Sequence, residues 1–177
     1  GEEFPLNRER MTYEIRALQT FYKNTPSLIP EIYDANEDMS AVVMQFLGEH
    51  IIMRKGLINE VIYPKFADHI STYLAQNLFK NSSLHLDSTL KRELIGKYNS
   101  NTELCKLTED FVFTFAFMDH STNDDYAAGH ECAQKLFSDM KFKKAILGLK
   151  YKFMNQTDTL LHGDLHTGSV MLNKKET

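Results

Sequence analysis

The stretch Leu160-Leu161-His162-Gly163-Asp164-Leu165-His166-Thr167-Gly168-Ser169-Val170-Met171-Leu172 packs several reactive side chains into one short segment. Two apolar runs bracket a polar turn that contains glycine. A carboxylate near the start of such a turn, held between two short strands, would stand rigidly at a sheet edge. A base that positions a substrate hydroxyl for phosphoryl transfer needs that placement. Asp164 is therefore the candidate catalytic residue, and His162, His166 and Ser169 are the candidates for supporting its loop. His162 reads best as holding the loop through a backbone hydrogen bond, and His166 as a partner for nearby backbone or carboxylate groups. A different chemistry is also written there. His162, Asp164 and His166 alternate, and on a strand they would share a face that could bind zinc. Gly163 and Thr167-Gly168-Ser169 argue for a loop instead.

The elements that must position this segment follow from periodicity. From about Asn7 to Lys23, the residues Met11, Ile15, Leu18 and Tyr22 form one apolar stripe of a helix, with Pro5 and Asn7 suited to its start. Glu14 lies roughly 70° from the centre of that stripe, so it either points at a partner beside the core or is solvated. Glu31–Asp34 and Ser40–Gln45 read as the strands of a hairpin joined by a turn at 35–38. Phe46-Leu47-Gly48 follows, and Gly48 suggests a bend.

Everything from about Tyr63 to Asn155 then reads as helical. Pro64 opens a helix to Lys80 with Phe66, Ile70, Tyr73, Leu74 and Leu78 facing inward. Ser88 caps a helix to Tyr98, and Thr102 caps another to Phe117. The alternation within Phe111–Phe117 also fits extended chain, and its aromatic rings read as core packing. Asp119–Asp125 is a polar loop, and two helices fill Tyr126–Met140 and Lys141–Gln156. A helix and hairpin, a bend, several helices, and a polar loop between two short strands follow the order of a bilobal kinase from its first large helix onward.

Bulk properties narrow the possibilities. The 177 residues carry a formal charge of −4, which argues against nucleic acid or an anionic membrane as partner. No apolar run approaches the roughly 20 residues of a membrane span. Cys105 and Cys132 share no motif spacing and read as buried free thiols, which fits a reducing, cytoplasmic setting. His50, His69, His85 and His120 lack ligand spacing and read as surface groups. Arg54 and Lys55 are either anion contacts or solvated charges.

His162-Gly163-Asp164-Leu165-His166 resembles the catalytic loop of the aminoglycoside-phosphotransferase-like and choline-kinase-like small-molecule kinases. The continuation Thr167-Gly168-Ser169-Val170 resembles the S-methyl-5-thioribose kinases within that group. Phe4-Pro5-Leu6, His50-Ile51-Ile52-Met53-Arg54-Lys55-Gly56-Leu57-Ile58 with Tyr63-Pro64, and Glu103–Glu109 with Val112-Phe113 are similar to further blocks of the same family.

The resemblance implies an α+β, bilobal protein-kinase-like fold, truncated at both ends. Residues 1–47 would be a remnant of the N-terminal lobe and 48–177 a mostly helical C-terminal lobe. It implies an ATP-dependent phosphotransferase with an alcohol acceptor, using ATP and Mg²⁺ on the 1-hydroxyl of 5-methylthioribose in methionine salvage. Asp164 would be the base. Glu14 would pair with a phosphate-binding lysine, and Gln45, Phe46 and Leu47 would form the adenine-binding hinge. That hinge usually carries an acidic pair, which Gln45-Phe46 replaces. Ser169 stands where many kinases place a metal-binding asparagine, so it is a candidate, weaker metal ligand. The resemblance also suggests a homodimer. It places the glycine-rich loop and its lysine before Gly1, and an Asp-x-Glu metal motif and sugar-clamping arginines beyond Thr177. A chain without those groups is expected to be close to inactive. Two other readings remain: a kinase of the same fold acting on an aminoglycoside, choline or homoserine, and a noncatalytic kinase remnant.

Overall fold

A computed structural model describes residues 7–123 and 127–173. Phe4-Pro5-Leu6, and the residues around Tyr126 expected to start a helix, lie outside the described residues. The chain divides into two compact units, Gly1–Tyr98 with Asp158–Thr177 and Asn99–Thr157.

In the first unit, α1 spans Arg10–Asn24 and buries Ile15 and Phe21. Phe21 falls outside the stripe expected from Met11, Ile15, Leu18 and Tyr22; its ring packs edge-on against Tyr73, with centroids 5.9 Å apart. Strands β1 (Ile32–Asn36) and β2 (Ala41–Met44) form the expected antiparallel hairpin, with an irregularity between Ile32 and Asp34. Its turn is tied by Met39 N–H to Asn36 Oδ1 and by Ser40 N–H to Glu37 O, and Ser40 takes a left-handed φ of 51°.

Strand β3 (Ile51–Ile52) leads directly into the short helix α2 (Met53–Ile58). Tyr63 then folds back on α2. Its hydroxyl lies 1.8 Å from where a Cβ on Gly56 would stand, so only glycine admits the ring there. Helix α3 (Phe66–Lys80) buries Tyr73 and Asn77, whereas Leu74 and Leu78 are exposed. The inward stripe is thus Phe66, Ile70, Tyr73 and Asn77, and a polar residue takes the place expected for Leu78. Helix α4 spans Ser88–Asn99. Asp87, not Ser88, caps it: Asp87 Oδ1 accepts from the N–H groups of Thr89 and Leu90. Strand β4 (Met171–Leu172) pairs antiparallel with β3, Ile51 opposite Leu172 and Ile52 opposite Met171.

A buried polar seam runs through this unit. Asn77, 2% exposed, donates to Thr25 Oγ1 and Tyr73 O and accepts from Asn24 Nδ2. Asn81 Nδ2 donates to Asn77 O. Lys91, 8% exposed, donates to Asn81 O at 3.1 Å and to Asp158 O at 2.8 Å. Burial pushes the Lys91 ammonium below its ordinary pKa, and the Asp158 carboxylate partly restores it.

The second unit holds α5 (Thr102–Phe111), α6 (His130–Ser138) and α7 (Met140–Asn155). Helix α5 stops at Phe111 rather than Phe117; a separate 3₁₀ turn covers Phe115–Phe117. Thr102 is the first residue of this helix, and the N-cap position falls on Asn101, which makes no side-chain cap. A second 3₁₀ turn at Ala127–Gly129 precedes α6. Asp139 caps α7 by accepting from Lys141 and Phe142 N–H groups. Phe111 packs on Phe115, Phe113 on Phe153 and Phe117 on Phe142, each pair with centroids 5.3–5.5 Å apart.

Among the described residues the architecture is mixed, mostly helical with two small sheets, compatible with α+β. Among the described residues, no helix is long and apolar enough to cross a membrane. Some sequence expectations are corrected. Cys132 is exposed and only Cys105 is half-buried. His50 and His69 are half-buried, each with an enclosed Nδ1, and His120 stacks flat on Phe115 at 3.8 Å.

Candidate functional site

The loop that carries Asp164 begins where the buried seam ends. Lys91 grips Asp158 O, and Thr159 Oγ1 donates to Leu78 O at 2.7 Å. Leu160–Leu161 is not a strand, contrary to the sequence expectation; Leu161 is exposed and the residues run as irregular chain. Only the far side of the loop is a strand, because β3 supplies the edge that β4 pairs with.

Within the loop, Gly163 adopts a left-handed φ of 85°, a turn that an L side chain would strain. The turn lets Asp164 N–H donate to His162 Nδ1 at 3.2 Å. Ser169 Oγ donates to Asp164 O at 2.6 Å, and Ser169 N–H donates to His166 O. The Asp164 backbone is therefore held from both sides, while its side chain stands 81% exposed. His166 Nε2 lies 3.4 Å from Asp164 Oδ2. His162, Asp164, His166 and Ser169 are thus brought together in one hydrogen-bonded loop. Partial enclosure of the His162 ring lowers its pKa; the Asp164 carboxylate opposes this and His166 adds to it.

Arg54, at the start of α2, joins this loop. Its N–H donates to Thr167 O at 3.0 Å, and the neighbouring Met53 N–H donates to Val170 O at 2.9 Å. The guanidinium donates through Nη2 to His166 Nδ1 at 2.9 Å and through Nε to Thr167 Oγ1 at 3.4 Å. Arg54 is exposed, and its charge is tied to this loop. Sequence reasoning missed the link because 112 residues separate Arg54 from His166. The available signal was that both lie in blocks shared with one family.

The other expected site residues stand apart. Glu14 is exposed on α1, next to buried Ile15. Gln45 closes the hairpin: its N–H donates to Glu31 O, and its Oε1 accepts from Glu31 N–H. Phe46 is 91% exposed, and Leu47 is half-buried. Among the described residues, no hydrogen bond or ion pair joins Glu14 or 45–47 to the Asp164 loop.

No protein-family model matches the chain. Among curated proteins, a methylthioribose kinase of Bacillus cereus (strain AH187) is 40% identical over all 177 residues. Methylthioribose kinases of Bacillus thuringiensis subsp. konkukian (strain 97-27) and Bacillus anthracis (strain A0248) are each 41% identical over the same 177 residues. The chain is homologous to the methylthioribose kinases along its whole length. It spans about 45% of the length of these relatives.

Asp164 is a presented carboxylate among the described residues. Among them, no group of three or more His, Cys, Asp or Glu side chains is arranged to hold a metal ion. The zinc alternative also loses its premise, since His162, Asp164 and His166 lie on a loop rather than on one strand face.

Proposed function

We propose that this chain is the middle part of a bilobal, protein-kinase-like small-molecule kinase. Residues 1–47 would form the end of its N-terminal lobe and 48–177 the start of its helical C-terminal lobe. The reaction is transfer of the γ-phosphate of ATP to the 1-hydroxyl of 5-methylthioribose, a step of methionine salvage. The observation that carries this reading is the 40–41% identity to methylthioribose kinases over the full 177 residues.

The geometry of the loop supports a role for Asp164. Its backbone is fixed by Ser169 and His162 while its carboxylate projects into the open. A carboxylate held this way accepts the proton of a hydroxyl laid against it. The hydroxyl oxygen attacks the γ-phosphorus as the bond to the β–γ bridging oxygen breaks. ADP leaves with that electron pair, and the hydroxyl proton passes to Asp164. Catalysis of this kind is largely positioning and charge neutralisation. Glu14 is assigned to pairing a phosphate-binding lysine, Gln45, Phe46 and Leu47 to the adenine hinge, and His162, His166 and Ser169 to loop support. Ser169 would be a weaker ligand for the Mg²⁺ that supports ATP chemistry, through the Oγ lone pairs left when its proton is donated to Asp164 O, and no step is routed through the ion.

The test is an ATP-dependent phosphorylation assay on the intact protein that carries this chain, beside its Asp164→Asn variant. Methylthioribose, choline and an aminoglycoside serve as acceptors. Phosphorylation of methylthioribose that falls by at least about 10³-fold in the variant is expected. Activity on another acceptor would discard the substrate, and an unaffected variant would discard Asp164 as the base.

A further inference from the structure

We propose that Arg54, acting through His166, is a positioning residue that fixes which oxygen of Asp164 remains open to the acceptor hydroxyl. The proposal rests on the kinase reading above and concerns how the same site is held.

The argument starts from the hydrogen-bond inventory of one imidazole. A guanidinium has five N–H donors and no acceptor. With Arg54 Nη2 at 2.9 Å from His166 Nδ1, that nitrogen must be the acceptor. Gly168 N–H donates to the same Nδ1, also at 2.9 Å. Two independent donors thus converge on Nδ1, and the ring carries its proton on Nε2. Nε2 is the nitrogen that lies 3.4 Å from Asp164 Oδ2. The protonated side of the ring therefore faces Oδ2, at a contact distance longer than a good hydrogen bond, and a small shift of the ring would close it.

The rest of the neighbourhood is built to keep the ring there. A Cβ on Gly168 would stand 2.5 Å from His166 Cε1, 3.0 Å from Nδ1 and 3.2 Å from Arg54 Nη2. Only glycine lets the backbone come this close to the ring. The Arg54 backbone is fixed, because its own N–H and that of Met53 are bonded into the loop, and β3 just before it pairs with β4 just after the loop. The clamp thus ties α2 to the carboxylate through one side chain. A tether of this kind acts on geometry, and a misplacement near 1 Å costs on the order of 100-fold in rate.

Two measurements on the intact protein test this. The first is long-range ¹H–¹⁵N correlation of labelled histidine, with the His166 signal assigned by its loss in His166→Gln. An Nε2-protonated ring with a bare Nδ1 is expected, and an Nδ1-protonated ring overturns the proposal. The second is a double-mutant cycle on methylthioribose phosphorylation. Arg54→Met and His166→Ala should each lower kcat about 10- to 100-fold with KM for ATP unchanged. The double variant should be no worse than His166→Ala, since Arg54 acts through that ring. His166→Gln, whose amide N–H can reach the place of Nε2–H, should recover most of the loss. Additive losses, or losses confined to KM, overturn the proposal. If the parent protein phosphorylates no acceptor, the kinase reading falls and the positioning role falls with it. If the parent is active and the tautomer reversed, the positioning role alone falls.

Discussion

The two compact units bury their residues very differently. Every described residue that is fully buried lies in the unit made of Gly1–Tyr98 and Asp158–Thr177. These include Ile15, Phe21, Met53, Tyr73 and Leu172, and the polar Thr25, Asn77, Asn81 and Lys91. The unit Asn99–Thr157 has none among its described residues; its rings pair half-exposed. The first unit is closed by a few apolar anchors and a satisfied polar seam, and that seam ends at Asp158 and Thr159, at the foot of the Asp164 loop. A satisfied buried network specifies one arrangement of backbone, because any shift leaves a polar group unpaired. Paired aromatic rings at a surface tolerate sliding. The candidate site therefore stands on the stiffer kind of packing.

The sharpest way to break this contrast is Asn77→Leu. The side chain that replaces it has the same branched shape but more bulk, Asn24 Nδ2 loses its acceptor, and Thr25 Oγ1 loses a donor and keeps only its own bond to Phe21 O. Unpaired buried polar groups cost about 1–3 kcal/mol each, so a loss of about 3 kcal/mol is expected from urea unfolding. A loss below about 0.5 kcal/mol would mean that the seam contributes little to holding the first unit together.

Phe113→Ala tests the other side. It removes a half-buried ring that packs on Phe153, and the expected cost is about 1–2 kcal/mol, below the range for fully buried phenylalanines. Amide exchange should quicken in α5 and α7 and stay unchanged in α3. Equal quickening in α3 would show that the two units open together, and the contrast drawn from burial would have no dynamic counterpart.

How far this division was legible in the sequence depends on whether the interactions are local. Helix α1, the hairpin and α3 follow from period and turn chemistry, and they stand within a few residues of where the pattern puts them. The buried face of α3 is not legible because Asn77 is polar, and Asn24, Thr25 and the Tyr73 carbonyl together make its burial tolerable. The strand expected at Leu160–Leu161 failed for a related reason. A two-residue strand exists only where an edge is offered, and Ile51–Ile52 offers one to Met171–Leu172 alone. The caps at Asp87 and Asp139 were overlooked because the neighbouring Ser88 and a helix start at Lys141 looked sufficient. At the candidate site, the grouping of His162, Asp164, His166 and Ser169 was visible from spacing within one loop. The Arg54 contact was not, since nothing local in either segment requires the other.

Thiol labelling sharpens the comparison inside the second unit. Cys132 is exposed, whereas Cys105 is half-buried and burial raises its pKa, with the Glu109 carboxylate adding to the effect. The thiolate is the reactive form, so Cys105 should react with a disulfide reagent about tenfold more slowly than Cys132 at mildly alkaline pH. If the unit opens on its own, Phe113→Ala should accelerate Cys105 and Asn77→Leu should not. Equal rates for the two thiols in the parent would remove the basis for this measurement.

The smallest expected effect is the pH response of His162, at the rim of the first unit. Its pKa is lowered from the ordinary 6.5, first by enclosure of the ring and further by His166, against the pull of Asp164. In the window between the lowered value and 6.5, the unfolded chain binds more protons than the folded one at this position. Stability from this group is therefore present above 6.5 and is lost as the pH falls through that window. Urea midpoints taken above and below that value should show a small acid-side decline that His162→Asn reduces. Because Asp164 N–H donates to His162 Nδ1, protonation of that nitrogen also removes one of the two ties on the Asp164 backbone. The decline should thus be accompanied by faster exchange of the Asp164 amide, while amides of the seam, at Asn77 and Asn81, stay protected. An acid response spread evenly over seam and loop would place its origin elsewhere than His162.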